Sequence, residues 1–200
     1  MMRVMFIEEI IIMKTMIFDS CNNIIDSVCK LLVDNKIGAI PCDTIYGFSG
    51  IANEITKDYI FEIKQRPQSK NLITLMSLDE LKKSSLIVPP ILYDIYPAPL
   101  TAILRDEDSG NTVAVRVPND SFIGEIIKKV GPIWSTSVNI SGQPSLTTFD
   151  EILAVFDSKV DFIVKKNIGS KGLPSTLVDF SSSEIKILRQ GSFDIKPYLI

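Results

Sequence analysis

The sequence lacks histidine entirely and has only three cysteines, Cys21, Cys29 and Cys42, among its 200 residues. The cysteines form no C-x-x-C pair, so a structural zinc site cannot be assembled from Cys and His ligands. A Cys–His nucleophilic pair and histidine acid–base catalysis are excluded for the same reason. An odd number of cysteines without a disulfide pattern is typical of a reducing compartment. We therefore expect a cytoplasmic protein.

An excess of positive charge and a membrane-length apolar run are also missing. The 24 acidic residues outnumber the 21 basic ones, which gives a net charge of −3. Proteins that bind nucleic acid by overall attraction concentrate Lys and Arg, so any RNA contact would need a local basic patch. The apolar residues 1–16 are interrupted by Glu8 and Glu9 and are too short to span a membrane. We expect them to form an N-terminal extension or an edge strand, with no membrane partner.

The remaining sequence has the composition of one globular domain, which we place at residues 17–200. Its 46% apolar and 22% charged residues are ordinary for such a domain, and no linker or repeat divides it. Apolar spacing predicts helices from Ile24 to before Gly38, from 55 to before Pro67, and over 78–83, 123–130 and 149–156. Apolar runs and alternation predict strands over 38–41, 72–76, 101–104, 112–117, 133–137, 162–164, 176–180 and 185–188.

Several of the predicted strands are joined by connections too short for a crossover helix. A purely parallel sheet needs such crossovers, so a mixed sheet is favoured. We predict an α/β (α+β) fold with a twisted mixed sheet flanked by helices.

Two cations, Lys64 and Arg66, precede Pro67 at the end of the second predicted helix. Pro67 favours an extended backbone at Arg66, which would bring the two cations toward one side. Convergent cations suit a polyanion such as a nucleotide phosphate. Cations that complement the carboxyl end of a helix give the same pattern, so the segment alone leaves both interpretations open.

A polar segment, Ser135–Gly142, follows a predicted strand with hydroxyl and amide side chains and ends in glycine. Such groups can hold phosphate or ribose oxygens without adding charge. The segment is not a P-loop, because the G-x-x-x-x-G-K pattern is absent. A turn rich in Ser and Asn explains the composition equally well.

Arg116 lies in the predicted strand 112–117 and shares a face with Thr112 and Ala114. If that face is buried, the arginine needs an anion, and a carboxylate is a natural partner. If the face is exposed, no partner is needed.

Taken together and in order, seven segments resemble the motifs of the YrdC-like threonylcarbamoyl-AMP synthase family. They are Pro41–Phe48, Lys64–Pro67, Pro97–Thr101, Val113–Pro118, Ser137–Asn139 followed by Ser141 and Gly142, Ser175–Asp179, and Arg189–Gly191. The resemblance spans about residues 20–193. The sequence departs from the family pattern at Cys42, Ala98, Asn71 and Asn119, and at Leu75, where some relatives have histidine.

The resemblance implies a YrdC-like (DHBP synthase-like) fold with a concave basic cavity and a nucleotidyltransferase activity. ATP, bicarbonate and L-threonine would give L-threonylcarbamoyladenylate and pyrophosphate, with Mg²⁺ on the triphosphate. A tRNA threonylcarbamoyl transferase complex would then modify the adenosine next to the anticodon in tRNAs that read ANN codons. The resemblance also implies contact with tRNA or double-stranded RNA.

Roles carried over from the family fall on twelve residues. Lys64 and Arg66 would be catalytic and would also bind ATP, together with Lys70, Thr112, Ser137, Asn139, Ser145 and Arg189. L-threonine would be held by Thr44, Arg116, Ser135 and Ser175. The resemblance assigns no protein ligand to a metal and no general base.

Three alternatives share these motifs in part. The first is a YciO-type paralogue with the same cavity and another activity. The second is a module that binds double-stranded RNA or tRNA without chemistry. The third, a carbamoyl-transferring relative from hydrogenase maturation, is normally part of a longer chain.

Overall fold

The fold is that of a computed structural model, which describes residues 14–19, 24–65, 67, 71–165 and 172–199. The strands are β1 Met16–Asp19, β2 Gly38–Ile40, β3 Gly47–Ile51, β4 Ile73–Leu75, β5 Leu100–Arg105, β6 Thr112–Arg116, β7 Ile133–Ser137, β8 Phe162–Lys165, β9 Thr176–Asp179 and β10 Lys186–Arg189. The helices are α1 Ile24–Val33, α2 Glu54–Lys64, α3 Leu78–Lys83, α4 Ile91–Ile95, α5 Ser121–Val130 and α6 Phe149–Phe156, with a 3₁₀ helix at Lys196–Tyr198.

The strands form one ten-stranded sheet in the order β1-β8-β2-β3-β7-β4-β6-β5-β9-β10. The β1/β8, β2/β8, β4/β6 and β5/β9 pairs are parallel. The β2/β3, β3/β7, β4/β7, β5/β6 and β9/β10 pairs are antiparallel. The predicted mixed α/β sheet is therefore confirmed.

Helices cover both faces of the sheet, as the alternation along β8 shows. Phe162 and Val164 pack with α1 and α5, whereas the intervening Ile163 packs with α6. Because successive strand residues point to opposite faces, α1 and α5 lie on one face and α6 on the other. Apolar stripes on these helices supply the two core layers.

Strand β3, helix α4 and the 3₁₀ helix were absent from the predicted pattern. The central strand β3 reads Gly-Phe-Ser-Gly-Ile, and glycine and serine are poor strand formers, so local preference does not reveal it. A Cβ at Gly50 would come within 2.9 Å of the Thr56 Cβ, so the glycine allows α2 to pack closely on the strand. The short helix α4 was not predicted either, and β1 was considered only as a possible edge strand.

The prediction that residues 1–16 form an N-terminal extension or an edge strand stays a prediction. β1 occupies one edge of the sheet, beside β8, and begins at Met16. Residues 1–13 lie outside the described residues. None of the helices in the described ranges combines the length and the apolar composition that a membrane span requires.

Candidate active site

The floor of the candidate site is a row of side chains that crosses four adjacent strands. Ser135 on β7 pairs with Ile73 on β4, Ile73 pairs with Ala114 on β6, and Ala114 pairs with Ile103 on β5. Directly paired residues share a face, so the row lies on the sheet face that also carries α1 and α5. Leu75, two residues after Ile73, is buried in the core under those helices. The site is therefore the part of this face that the helices leave open.

A cavity of about 440 Å³ lies above this row. Its described lining contains two arginines, no acidic residue and seven serine or threonine residues: Thr44, Thr112, Ser135, Thr136, Ser137, Ser145 and Ser175. Positive charge and hydroxyl groups therefore face the enclosed space. Such a surface suits an anionic ligand with many hydrogen-bond acceptors.

Arg116 is the most deeply buried charge of the cavity, with 4% of its surface exposed. Its Nη1 donates to the Thr44 hydroxyl at 3.0 Å, and its Nη2 forms an ion pair with Asp43. Asp43 also accepts the backbone N–H of Asn119 at 3.1 Å. The Nε of Arg116 is buried and has no hydrogen-bond partner among the described residues. The guanidinium is thus held in place by Thr44 and Asp43.

Asp43 supplies the anion that a buried Arg116 requires, and no role was assigned to it from the sequence. The signal was present, since Asp43 directly precedes Thr44 in a motif and a carboxylate was the expected partner of a buried arginine. Because Asp43 and Arg116 are far apart in the sequence, their pairing could not be recognised from it. We call Asp43, Thr44 and Arg116 the arginine group.

Arg189 closes another part of the cavity from β10. Its Nε and Nη2 donate to the backbone oxygen of Ser175 at 3.1 and 2.9 Å. Burial lowers the pKa of Arg189, and the nearby positive charge of Arg116 lowers it further. Two guanidinium groups that repel each other across a cavity with no acidic residue in its described lining would both be stabilised by a bound anion.

Lys64 and Asn139 lie behind the cavity lining, beside Ser137. The buried Lys64 ammonium donates to the Ser137 carbonyl, to the Asn139 carbonyl at 3.1 Å and to Asn139 Oδ1 at 2.7 Å. Asn139 Oδ1 also accepts the Ser137 hydroxyl at 2.7 Å. Ser141 N–H donates to the Lys64 carbonyl at 2.8 Å. We call residues 137–141 the lysine-held segment, because Lys64 fixes the position of Ser137.

Cys42, which lines the cavity, is buried beside the arginine group. Its thiol donates to Asp43 Oδ1 at 3.0 Å. Burial raises the pKa of this thiol far above its usual value, and the positive charge of Arg116 opposes that shift only in part. Cys42 is therefore a neutral, unreactive group at the site.

The structure brings together eight of the twelve residues singled out from the sequence. Thr44, Thr112, Arg116, Ser135, Ser137, Ser145, Ser175 and Arg189 line the cavity. Lys64 and Asn139 do not line it and instead hold Ser137 from behind. Arg66 and Lys70 lie outside the described residues.

Comparison with known proteins places the whole arrangement in a family. The family model described as Sua5_yciO_yrdC, telomere recombination, matches residues 30–191. A threonylcarbamoyl-AMP synthase of Vibrio vulnificus is 27% identical over 184 residues, which cover 84% of this chain and 98% of the relative.

Two solved structures share the fold. Pyrococcus abyssi Sua5 complexed with L-threonine superposes with a TM-score of 0.82 and 26% identity, over 92% of this chain and 59% of the Pyrococcus chain. The present chain thus spans about three fifths of that protein. Escherichia coli YciO superposes with a TM-score of 0.80 at 21% identity, over 93% of this chain and 99% of the YciO chain, and shows the fold alone. The chain belongs to the Sua5/YciO/YrdC family, as its motifs predicted.

Proposed function

We propose that this enzyme is an L-threonylcarbamoyladenylate synthase, a nucleotidyltransferase that converts L-threonine, bicarbonate and ATP into threonylcarbamoyl-AMP and pyrophosphate. The observation that carries the proposal is Arg116, a buried guanidinium held by Asp43 and Thr44 at a cavity whose described lining has no acidic residue. The Vibrio relative with this activity and the threonine complex of the Pyrococcus relative support the choice of substrate.

Threonine would bind at the arginine group. Its carboxylate would accept charge-assisted hydrogen bonds from the guanidinium of Arg116, which lines the cavity. The hydroxyls of Thr44, Ser135 and Ser175 line the same cavity and would orient the rest of the amino acid.

ATP would bind toward Thr112, Ser137, Ser145 and Arg189. These side chains are mostly neutral, so the triphosphate charge would be met by Arg189, by the proposed ligands Arg66 and Lys70, and by Lys64 from behind Ser137. In the described arrangement the Lys64 ammonium makes three hydrogen bonds to the lysine-held segment, so direct contact with a phosphate would require it to exchange one of them.

The chemistry needs no histidine and no protein nucleophile. The threonine amine attacks the carbon of bicarbonate, water leaves, and a carboxylate oxygen of the resulting carbamate attacks the α-phosphorus of ATP while pyrophosphate departs. The residues contribute placement and stabilisation of negative charge. Mg²⁺ would enter on the triphosphate oxygens. In the described part of the chain, no group of three or more acidic or cysteine side chains could hold a metal ion.

The product would be passed to the tRNA threonylcarbamoyl transferase complex, which modifies the adenosine beside the anticodon of tRNAs reading ANN codons. This sequence of reactions belongs in the cytoplasm, together with ATP and tRNA. Because the chain has a net charge of −3, direct binding of tRNA or double-stranded RNA would depend on a local patch of positive charge.

The test is the release of pyrophosphate by the purified protein supplied with ATP, Mg²⁺ and bicarbonate, with and without L-threonine. We expect threonine-dependent pyrophosphate and an adenylate that contains threonine. Arg189→Ala should reduce the rate, whereas Arg105→Ala, at an exposed position on β5 outside the cavity lining, serves as a matched control with the wild-type rate. A YciO-type paralogue or an RNA-binding module would release no threonine-dependent pyrophosphate, and that result would refute the proposal.

A further inference from the structure

Thr101 is a buried polar residue next to the cavity that the reaction as proposed does not use. It lies on β5, pairs with Leu177 on β9 and has none of its surface exposed. It does not appear in the cavity lining, so it cannot touch a ligand there. Its hydroxyl lies 2.7 Å from the Ser175 hydroxyl, which does line the cavity.

The geometry of the two oxygens leaves open which hydroxyl is the donor, but hydrogen-bond accounting decides it. Ser175 Oγ is the one hydrogen-bond partner of the Thr101 hydroxyl among the described residues. If Ser175 donated, the Thr101 proton would be buried without an acceptor, which destabilises the folded protein. If Thr101 donates, its proton is satisfied, and the Ser175 proton can point into the cavity. Thr101 must therefore be the donor.

Arg189 reinforces this direction. In addition to the hydrogen bonds that Arg189 donates to the Ser175 carbonyl, its Nη2 lies 3.4 Å from Ser175 Oγ. A hydroxyl has two acceptor sites and one proton. With Thr101 and Arg189 facing its acceptor sites, the Ser175 hydroxyl has its proton left for a ligand.

We infer that Thr101 is a positioning residue that fixes Ser175 as a hydrogen-bond donor toward the cavity, so that the ligand atom at Ser175 must be an acceptor. The inference rests on the proposed function, which places threonine there. Arg116, which lines the same cavity, carries only N–H donors and no acceptor. The site is then selective for a carboxylate and discriminates against an amide or amine at the same place.

The experiment measures binding of L-threonine and of L-threoninamide to the full chain by titration calorimetry. Thr101→Val keeps the shape of the side chain but removes the donor, so Ser175 can rotate and lose its fixed direction. We expect threonine affinity to fall about tenfold, corresponding to the loss of one hydrogen bond of about 1.4 kcal/mol. The preference for threonine over threoninamide should narrow at least about threefold, because a freely rotating Ser175 can accept from the amide.

Two variants separate positioning from a general effect on folding. Thr101→Ser retains the hydroxyl and should restore both the affinity and the preference. Thr74→Val removes a buried threonine hydroxyl of β4, outside the cavity lining, and should bind both ligands like the wild type. In a Ser175→Ala background, Thr101→Val should have no further effect on threonine affinity, because Thr101 acts through Ser175.

The outcomes distinguish the two levels of the proposal. Failure of wild-type protein to bind threonine would refute the proposed function and this inference with it. Normal binding by the wild type, with Thr101→Val showing unchanged affinity and unchanged preference, would overturn the inference alone. Additive effects of Thr101→Val and Ser175→Ala would also overturn it.

Discussion

The arginine group and the lysine-held segment use positive charge in opposite ways. Arg116 lines the cavity and has its counterion, Asp43, outside the lining. Lys64 keeps its ammonium behind the lining and places the neutral Ser137 in front. Both cations are almost completely buried. They differ in what faces the ligand. At Arg116 it is the charged group itself, whereas at Lys64 it is the neutral Ser137 that the charged group holds in place.

This difference matches the sizes of the two proposed ligands. A fixed guanidinium on a strand can select a small carboxylate, because its donors have a defined direction. A large nucleotide is better met by several neutral hydroxyls, whose positions depend on the backbone that carries them. Lys64 stabilises that backbone by bridging two carbonyls and an amide side chain. The comparison predicts that the two cations, when removed, affect different substrates.

The largest effect is expected from Arg116→Met. It leaves the Asp43 carboxylate, whose side chain is 12% exposed, without its counterion, and we expect a loss of about 3 kcal/mol in the free energy of unfolding. Threonine binding should fall more than about a hundredfold, because the carboxylate loses charge-assisted bonds. Denaturant titration and calorimetry measure the two losses. Arg116→Met combined with Asp43→Asn should recover much of the stability but none of the threonine affinity; recovery of affinity would contradict the assignment of Arg116.

A smaller effect is expected from Lys64→Met, and on the other substrate. Three buried oxygens lose their shared donor, so the free energy of unfolding should fall by about 1–3 kcal/mol. ATP affinity should fall more than threonine affinity, because Ser137 is released while the arginine group stays intact. Titrations with each ligand test this, with Lys64→Arg as a control that keeps the charge. Equal losses for both ligands would show that the two groups do not act separately.

Gly47→Ala should reduce function with little loss of stability. A Cβ at Gly47 would come within 2.6 Å of Ser135 Oγ, which can move away by rotation. We expect threonine affinity to fall about tenfold, the size of one displaced hydrogen bond.

Gly124→Ala in α5 is the matched control, because a Cβ there meets nothing within 4 Å. It should leave binding unchanged and raise stability by about 0.5–1 kcal/mol. Unchanged threonine binding in Gly47→Ala would exclude Ser135 from the site.

The smallest effect is expected from alkylation of the cysteines at pH 7 to 8. Burial raises the pKa of both the Cys42 and the Cys29 thiol, so each stays protonated through this range and reacts slowly. Iodoacetamide should leave activity unchanged, and mass spectrometry should find Cys42 modified only after unfolding. Rapid loss of activity together with labelling of Cys42 in the folded protein would show a thiolate beside Arg116.

Much of the architecture could be predicted from the sequence. The ranges of α3, β7 and α6 coincide with the predicted elements, because their apolar spacing is regular and clear caps or turns flank them. Strand β3 could not be predicted in this way, since its glycines serve close packing by neighbours that are distant in sequence. The cavity-lining residues Thr112 and Arg116 were predicted to share a face from strand alternation alone.

The chemistry of the site was less accessible to sequence reasoning. The pattern at Lys64 predicts a cation near a nucleotide, but its three hydrogen bonds to the lysine-held segment depend on how α2 ends beside β7. Asp43 and Thr101 were within quoted motifs and received no role, because neither residue type is unusual in its local context. Only their partners, Arg116 and Ser175, reveal what they do.

The sequence by itself determined the family, the mixed sheet and the absence of histidine chemistry, because these follow from residue types and their order. The tertiary structure decided where each charge acts. Arg116 meets the cavity with Asp43 behind it, Lys64 acts through Ser137, and Thr101 sets the direction of the Ser175 hydroxyl. These outcomes depend on distances between residues about 70 or more positions apart, and a hydrogen bond that varies over a few tenths of an ångström is not encoded in local spacing.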